Sequence, residues 1–150
     1  GLAGSILRPW AKKLIGVDCA SNMLLLAKKT QYYDELIEGF LPDIDWPEEN
    51  ISLCFMADCM PYFGELSPLI QSMYDAGSTK CIIACSIEQA SDDCEQYELS
   101  PSGRYRHNPE YLITTMKAFK FNLLKQKQTT IRYEQHHPVK NHLFVFGRII

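Results

Sequence analysis

The sequence predicts an α/β fold with a doubly wound, mainly parallel sheet and helices on both faces. Two observations predict it: helical and strand-like segments alternate along the chain, and two apolar strand-like segments end in an aspartate. Such alternation is typical of βαβ units, in which helices connect parallel strands. The composition agrees, because 46% of the 150 residues are hydrophobic and 22% are charged. We therefore expect residues 1–150 to form a single domain.

The N-terminal part predicts a helix, a strand and a second helix. An apolar stripe over residues 2–13 predicts the first helix, although Pro9 lies near its first turns. Residues 14–17 form a short apolar run that ends at Asp18, as expected of a strand. Ser21 then has the side chain and position of a helix cap.

The middle of the chain predicts two further strands. Residues 35–38 are a weaker strand candidate, followed by an acidic, proline-containing loop over residues 42–50. Residues 51–57 are apolar nearly throughout, which is typical of a strand covered on both faces. Asp58 ends that run, so it is the second carboxylate at a strand end.

The C-terminal half continues the alternation and ends in two strands. Cap-and-proline pairs at Ser67-Pro68 and Asn108-Pro109 each predict the start of a helix. Strands are predicted over residues 80–86, 122–133 and 142–149. A short His-Pro turn joins the last two, so we expect that pair to be antiparallel.

Charge and cysteine usage exclude several classes of partner. The net charge of −3 gives no overall positive field that would favour nucleic acid, and no apolar run reaches the roughly 18–20 residues that span a membrane. The six cysteines form no Cys-x-x-Cys pair, which predicts reduced thiols in a cytoplasmic protein rather than disulfides or zinc. His107 and His142 lack partners at ligand spacing, so no metal site is expected.

Several short motifs occur in an order that identifies a family resemblance. They are Gly1-Leu2-Ala3-Gly4, Gly16-Val17-Asp18, Asn22-Met23-Leu24, Tyr33-Asp34-Glu35-Leu36, Ala57-Asp58, Tyr62-Phe63-Gly64-Glu65-Leu66 and Ser102-Gly103-Arg104-Tyr105 followed by His107. With them the chain resembles class I S-adenosylmethionine-dependent methyltransferases, most closely predicted methyltransferases associated with tetratricopeptide repeats. The resemblance implies a Rossmann-like methyltransferase sheet with S-adenosylmethionine as cofactor.

The opening glycines bear on where the domain starts. A doubly wound sheet normally begins with a strand that leads into its first glycine loop, whereas this sequence opens with Gly1 and Gly4 and continues into a helix. We therefore expect the first strand to be missing and the domain to be truncated at its N-terminus. The resemblance implies a possible tetratricopeptide-repeat region upstream in the parent chain.

The resemblance assigns cofactor contacts to the first part of the chain. Gly1 and Gly4 correspond to the end of the glycine loop near the methionine part of the cofactor, although ordinary turn glycines are the alternative. Asp18 would accept hydrogen bonds from the ribose hydroxyls, with Cys19 beside it. The alternative for Asp18 is a helix-capping aspartate before Ser21.

Two further residues are assigned to the adenine. Met23 lies where the family packs a side chain against the ring, and a core methionine is the competing interpretation. Glu38 is the nearest acidic candidate for the adenine amine, although Phe40 occupies that position in the alignment we favour.

Catalytic candidates come from a strand end and a long loop. Asp58 would lie beside the transferred methyl group, where it would contact the cofactor and act as a general base; a structural cap is the alternative. Residues 88–106 lack helix or strand periodicity and predict a loop over the site. Near its end, Arg104, Tyr105 and His107 would bind an anionic or aromatic acceptor, unless Arg104 instead anchors the loop to Glu88.

The predicted function is methyl transfer from S-adenosylmethionine to an N, O or S atom of a small-molecule or protein acceptor. Asp58 or His107 would be the base, and no metal is required. The main alternative is a catalytically inactive methyltransferase-like domain that serves as a protein-interaction scaffold. A nicotinamide-dependent enzyme is a third alternative, but the sequence lacks Gly-x-Gly-x-x-Gly.

Overall fold

The computed structural model describes residues 1–46, 50–134 and 137–148. The chain divides into two compact units, Gly1–Asp45 and Trp46–Ile150, called unit 1 and unit 2 below.

Unit 1 is a βαβ unit preceded by a short helical segment. Its elements are α1 (Gly4–Leu7), a 3-10 turn (Arg8–Trp10), β1 (Ile15–Asp18), α2 (Ser21–Thr30) and β2 (Glu35–Glu38). Strands β1 and β2 are parallel, as predicted, and β2 has the predicted bounds. The predicted helix over residues 2–13 is wrong in extent, because Pro9 has no N–H for a helical hydrogen bond and the chain tightens into the 3-10 turn there.

Helix α2 begins without the predicted serine cap. Its N-cap is Ala20, which has no side-chain hydrogen bond, and Ser21 is the first helical residue. The Ser21 hydroxyl instead donates to Glu38 Oε1 at 2.7 Å, so it links the start of α2 to the end of β2. The helix ends at Gln31, which adopts the left-handed conformation, with Lys28 and Lys29 in the last turn near the negative end of the helix dipole.

Unit 2 contains a four-stranded mixed sheet and a separate two-stranded sheet. Its elements are β3 (Ile51–Met56), a 3-10 turn (Met60–Tyr62), α3 (Ser67–Ala76), β4 (Gly77–Glu88), β5 (Tyr97–Leu99), β6 (Tyr105–His107), α4 (Pro109–Ala118), β7 (Phe121–Glu134) and β8 (His137–Arg148). The strand order of the larger sheet is β3-β4-β8-β7. Strands β3 and β4 are parallel, whereas β8 is antiparallel to both β4 and β7.

The antiparallel pair at the C-terminal end was predicted and is confirmed by the β7–β8 ladder. Both strands begin earlier than predicted, at Phe121 and His137. The prediction of a His-Pro turn is wrong, because His137 and Pro138 belong to β8, where Pro138 pairs with Tyr133 of β7. Residues 135–136 between the two strands and the predicted strand end at 149 lie outside the described residues. Residues 47–49, which belong to the predicted acidic loop over residues 42–50, also lie outside the described residues.

The core of unit 2 lies on one face of the larger sheet. Ile83, Phe144 and Phe146 are buried there, and the two phenylalanine rings stack with centroids 5.5 Å apart. Tyr74 of α3 meets the ring of Phe121 edge-on, and α4 packs against β7. Helices α3 and α4 therefore cover the same face.

The segment over residues 88–106 differs from the prediction of a loop without strands. It contains β5 and starts β6, and these form an antiparallel two-stranded sheet. Each strand has three residues, which is too short for a readable alternation. The turn between them contains Gly103, whose φ of +79° favours glycine, and Ser100 N–H donates to Arg104 O at 2.8 Å.

The structure also bears on two predictions for the whole chain, the state of its cysteines and the presence of membrane-spanning helices. All six cysteines are free thiols, of which Cys54, Cys81 and Cys85 are buried and Cys19 is exposed. Within residues 1–46, 50–134 and 137–148, no helix is long and apolar enough to cross a membrane.

Candidate functional site

Asp18 is the last residue of β1, at the carboxyl end of the strand. Its Oδ1 accepts a hydrogen bond of 2.9 Å from the backbone N–H of Ala20 and so shapes the turn into α2. Its Oδ2 has no hydrogen-bond partner among the described residues. The capping role considered for Asp18 therefore uses one carboxylate oxygen and leaves the other for a ligand.

Glu38 lies directly beside Asp18, because the two residues are paired in the parallel β1–β2 register. Because adjacent strands are about 4.8 Å apart, the carboxylates of Asp18 and Glu38 lie close together at the ends of neighbouring strands. Glu38 is exposed, and its Oε1 accepts the hydrogen bond from Ser21. This geometry leaves the Glu38 carboxylate accessible at the strand end.

The two opening glycines have different surroundings. A Cβ on Gly4 would lie 2.9 Å from Cε2 of Tyr33, so Gly4 is required for close packing of α1 against that ring. Gly1 is exposed, its carbonyl accepts from the Tyr33 hydroxyl at 3.3 Å, and a Cβ on it would lie 3.1 Å from Cα of Ala27. Both positions are thus constrained by packing inside unit 1.

A small cleft of about 50 Å³ in unit 1 brings three predicted cofactor residues together. Gly1, Asp18 and Met23 line it, whereas Gly4, Cys19 and Glu38 do not. The remaining lining residues are Gly16, Val17, Leu24, Ala27, Tyr33 and Leu36.

Sequence reasoning assigned none of these six residues to the site, and Tyr33 is the only one of them whose side chain has a hydroxyl group. It was recognised only as part of a motif, because nothing in its local sequence indicates that its side chain faces a cleft. Burial raises the pKa of its phenol, so the hydroxyl stays protonated and can donate near neutral pH.

Asp58 follows β3 in an unusual backbone conformation. Its φ is +58°, in the left-handed region that aspartate tolerates better than most residues. Its backbone N–H donates to Ser86 Oγ of β4 at 3.0 Å, which helps hold this conformation. The side chain is 63% exposed and forms an ion pair with Arg104. Asp58 is therefore an accessible carboxylate at the end of β3.

Arg104 has three side-chain partners in unit 2. Its Nε donates to Glu88 Oε1 at 2.8 Å, and its guanidinium also pairs with Asp58 and contacts the Tyr62 hydroxyl at 3.2 Å. The alternative that Arg104 anchors the loop to Glu88 is thus confirmed. Burial lowers the pKa of Arg104, but hydrogen bonds to Glu88 and Asp58 outweigh that effect and raise it above its usual value. Arg104 is a permanent cation held between two carboxylates.

Tyr105 belongs to an aromatic cluster rather than to an open surface. Its ring meets that of Tyr97 edge-on, with centroids 5.9 Å apart, and the Tyr97 ring also lies 5.8 Å from that of Tyr111. A Cβ on Gly64 would lie 2.9 Å from the rings of both Tyr97 and Tyr105. Gly64 therefore allows the backbone to approach the cluster closely.

His107 is fully buried at the end of β6. Its Nε2 lies 2.8 Å from Phe63 O and 3.1 Å from Gly64 O, and two carbonyl acceptors require that Nε2 carry the proton. Nδ1 has no partner among the described residues. Burial lowers the pKa of His107 and the carbonyl contacts partly oppose that, so the neutral ring is favoured. The ring fixes the backbone at residues 63–64 and is closed to solvent.

In the described part of the chain, no three His, Cys, Asp or Glu side chains come together in a group that could hold a metal ion.

Comparison with solved structures gives the fold. The chain is 10% identical to an S-adenosylmethionine-dependent methyltransferase from Methanosarcina mazei, with a TM-score of 0.75 over 97% of this chain and 86% of that one. It is 14% identical to the N-methyltransferase NodS from Bradyrhizobium japonicum, solved with S-adenosyl-L-homocysteine, with a TM-score of 0.72 over 97% and 73% of the two chains. The [4+2]-cyclase SpnF matches with 9% identity and a TM-score of 0.78, over 99% of this chain and 70% of that one.

No protein-family model matches the chain, and no curated protein sequence matches it. The structural matches show a methyltransferase-like α/β fold with a mixed sheet, which confirms the predicted fold class at that level. Because the sequence identities are low, the matches establish the fold alone. The cyclase illustrates why, since its name describes a reaction other than methyl transfer.

Proposed function

We propose that the chain is an S-adenosylmethionine-dependent methyltransferase domain that methylates an N, O or S atom of a small-molecule or protein acceptor. The observation that carries the proposal is the unit 1 cleft, which collects Gly1, Asp18 and Met23. These three residues were assigned to the cofactor from the sequence resemblance. The similarity to methyltransferases, including one solved with S-adenosyl-L-homocysteine, supports it further.

The residues of the cleft fit a nucleoside. Asp18 Oδ2 is available to accept a hydrogen bond from a ribose hydroxyl while Oδ1 remains on Ala20 N–H. Met23 is exposed, so its thioether can contact a purine ring. The cleft volume of about 50 Å³ is far below the ~300–1,000 Å³ typical of sites that enclose a whole ligand. We therefore propose that the cleft residues contact one side of the nucleoside part and do not enclose it.

The chemistry requires positioning and, for a protonated acceptor, a base. The bound cofactor supplies an activated methyl group on a sulfonium. Asp58 is better placed than His107 to take the acceptor's proton, because Asp58 is exposed and His107 is fully buried. Arg104 already has three partners, so in this proposal it orients Asp58 and Tyr105 supports the loop by packing. Association with tetratricopeptide repeats and a cytoplasmic location remain predictions from the sequence.

Calorimetric titration with S-adenosyl-L-homocysteine tests the proposal. We expect the wild-type chain to bind and Asp18→Ala to weaken binding by about tenfold or more, because a hydrogen bond to a charged group contributes about 1.5–3 kcal/mol. Asp93→Ala is the matched control, since Asp93 is an exposed carboxylate in unit 2, and it should bind like the wild type. If the wild-type chain releases no heat and shows no binding by a second method, the proposal is wrong.

The scaffold alternative is favoured by a separate observation. Large apolar side chains remain exposed on the larger sheet of unit 2, including Leu53 and Phe55. Exposed apolar patches are typical of interaction surfaces. Folded protein that does not bind the cofactor product would favour this alternative over methyl transfer.

A further inference from the structure

Three charged side chains meet at the carboxyl ends of β3 and β4 in unit 2. Asp58 follows β3 by two residues, Glu88 is the last residue of β4, and Arg104 pairs with both carboxylates. In open α/β sheets, ligands bind outside the carboxyl ends of the strands. The charge of this cluster therefore bears on which acceptor the proposed methyltransferase takes.

The buried carboxylate of the cluster balances the arginine. The Glu88 side chain is almost completely buried and accepts a hydrogen bond from Arg104 Nε at 2.8 Å. Asp58 is a second carboxylate on the same guanidinium, and most of its side chain is exposed. Two carboxylates and one guanidinium leave one negative charge. Because Glu88 is buried, it is Asp58 that presents this charge to solvent.

Tyr62 places an aromatic ring beside that charge. Arg104 contacts the Tyr62 hydroxyl through Nη1 at 3.2 Å and Asp58 Oδ1 through Nη2, so one guanidinium holds both side chains. Arg104 Cζ lies 5.1 Å from the centroid of the Tyr62 ring, yet Tyr62 is 64% exposed. The ring face turned away from Arg104 is therefore accessible. Aromatic faces attract ammonium groups, as carboxylates do.

The neighbouring segments add exposed charges of the same sign. Residues 57–66 follow β3 and residues 89–104 follow β4, and Arg104 is the only cationic residue in these two segments. It already has three partners, so it is not available to bind an anionic acceptor. The other exposed charged side chains of the two segments are Glu65, Asp92, Asp93 and Glu95. Their combined field favours a cation over an anion.

We propose that Asp58 and Tyr62 select an acceptor with a protonated amino group, so that the methyl group is transferred to nitrogen. The ammonium group pairs with the Asp58 carboxylate and contacts the Tyr62 ring, and Glu88 offsets the repulsion from Arg104. A neutral alcohol or thiol gains no such attraction, and an anionic acceptor is repelled. This inference rests on the proposed methyl transfer and narrows its acceptor atom from N, O or S to N.

Transfer to nitrogen requires that the ammonium group first lose a proton. Asp58 accepts this proton and releases it to water. The nitrogen lone pair then forms a bond to the methyl carbon while the carbon–sulfur bond breaks, and the electron pair of that bond stays on sulfur. The products are an N-methylated amine and S-adenosyl-L-homocysteine.

Three small probes of similar shape test the inference on the complete chain. They are 2-phenylethylamine, which is cationic near neutral pH, 2-phenylethanol, which is neutral, and phenylacetate, which is anionic. Each is titrated into the ¹⁵N-labelled chain, with and without S-adenosyl-L-homocysteine, and followed by nuclear magnetic resonance. We expect the amine to shift the Asp58 and Tyr62 amides and to bind at least about tenfold more tightly than the other two probes. Raising the salt concentration should reduce that preference.

A further probe distinguishes two sources of the amino group. Nα-acetyl-lysine amide represents a protein lysine, whereas 2-phenylethylamine represents a small-molecule amine. Tighter binding of the lysine derivative would support a protein acceptor, and tighter binding of 2-phenylethylamine would support a small molecule. Either result supports an amine as the acceptor, provided that binding depends on Asp58.

Variants locate the binding groups. Asp58→Asn removes the charge, keeps an oxygen for Arg104 and tolerates the left-handed backbone, and it should weaken amine binding by about tenfold. Tyr62→Leu should weaken it by about two- to fivefold, as expected for an exposed cation–π contact. Asp75→Asn is the matched control and should bind normally, because Asp75 is an exposed carboxylate near the end of α3, at the opposite edge of the sheet. Circular dichroism establishes that each variant is folded.

The outcomes separate this inference from the proposed function. Equal binding of the amine and the alcohol, tighter binding of phenylacetate, or amine binding that Asp58→Asn and Tyr62→Leu both leave unchanged would overturn the inference. If S-adenosyl-L-homocysteine still binds in the same samples, the proposed methyl transfer stands without it. If S-adenosyl-L-homocysteine does not bind, the proposed function is wrong, and the amine is then not a methyl acceptor of this chain.

Discussion

Glu88 and Asp58 both pair with Arg104, but they differ in exposure. The Glu88 side chain is 1% exposed, whereas that of Asp58 is 63% exposed. Removing one partner of a buried ion pair leaves the other charge buried without its partner, which strongly destabilises the fold. An exposed ion pair contributes little to stability, because water and salt screen the attraction. Arg104 therefore has a buried ion pair with Glu88, which stabilises the fold, and a solvent-exposed ion pair with Asp58.

Substitution of these carboxylates should separate the two roles. We expect Glu88→Ala to lower the free energy of unfolding by about 3 kcal/mol or more, because it removes the buried acceptor of Arg104 Nε and leaves the guanidinium only its partners Asp58 and Tyr62. Asp58→Ala should change it by less than about 1 kcal/mol. Urea denaturation of the two variants in the same buffer measures both values, and equal losses would contradict this assignment.

His107 should make stability depend on pH. Burial lowers its pKa below the value of about 6.5 expected in the unfolded chain, so the unfolded state binds the proton more readily. The free energy of unfolding should therefore increase with pH through the interval between the folded and unfolded pKa values. The contribution of His107 is fully present above about pH 6.5 and is lost as pH falls from there through the lower folded pKa.

Urea denaturation between about pH 5 and 7.5 measures this slope. We expect His107→Gln to flatten it, whatever its effect on stability at pH 7.5. His142, whose pKa is also lowered by burial, contributes a slope of the same sign, so His142→Gln serves for comparison. A slope that His107→Gln leaves unchanged would show that this ring is not the group responsible.

Among the elements, those with local signals were predicted well. Asn108 caps α4 through Oδ1, which accepts from Glu110 N–H at 2.9 Å, and Pro109 occupies the first helical position as the sequence indicates. The length of helix α1 was overestimated, because an apolar stripe does not show that Pro9 ends the α-helical hydrogen bonding. Strands β5 and β6 were missed because their pairing depends on residues beyond a three-residue window.

The cap on α4 provides a test at the scale of the element. Asn108→Ala should destabilise unit 2 by about 0.5–2 kcal/mol, because it removes the bond to Glu110 N–H and the 2.8 Å bond from Nδ2 to Cys94 O. Asn108→Asp keeps an acceptor for the cap and loses only the second bond, so we expect a smaller loss. Thermal unfolding followed by circular dichroism measures both; equal losses would assign the effect to the Cys94 contact.

For the whole molecule, the sequence indicated the fold class and part of the candidate site. Three of the residues assigned to the cofactor line one cleft. The order of the motifs predicted this, because a βαβ unit brings the end of its first strand and the start of the following helix together. The left-handed backbone at Asp58 and the burial of His107 could not be predicted, because both depend on contacts with distant strands and loops.

The central claim is that the unit 1 cleft binds the nucleoside part of S-adenosylmethionine through Asp18. Nuclear magnetic resonance of the ¹⁵N-labelled chain, titrated with S-adenosyl-L-homocysteine, tests it most directly because it reports where the ligand binds. We expect saturable shifts of the Gly16, Asp18 and Met23 amides that Asp18→Ala strongly reduces and Asp93→Ala preserves. Spectra unchanged by the ligand, or shifts that leave the cleft residues unaffected, would contradict the account.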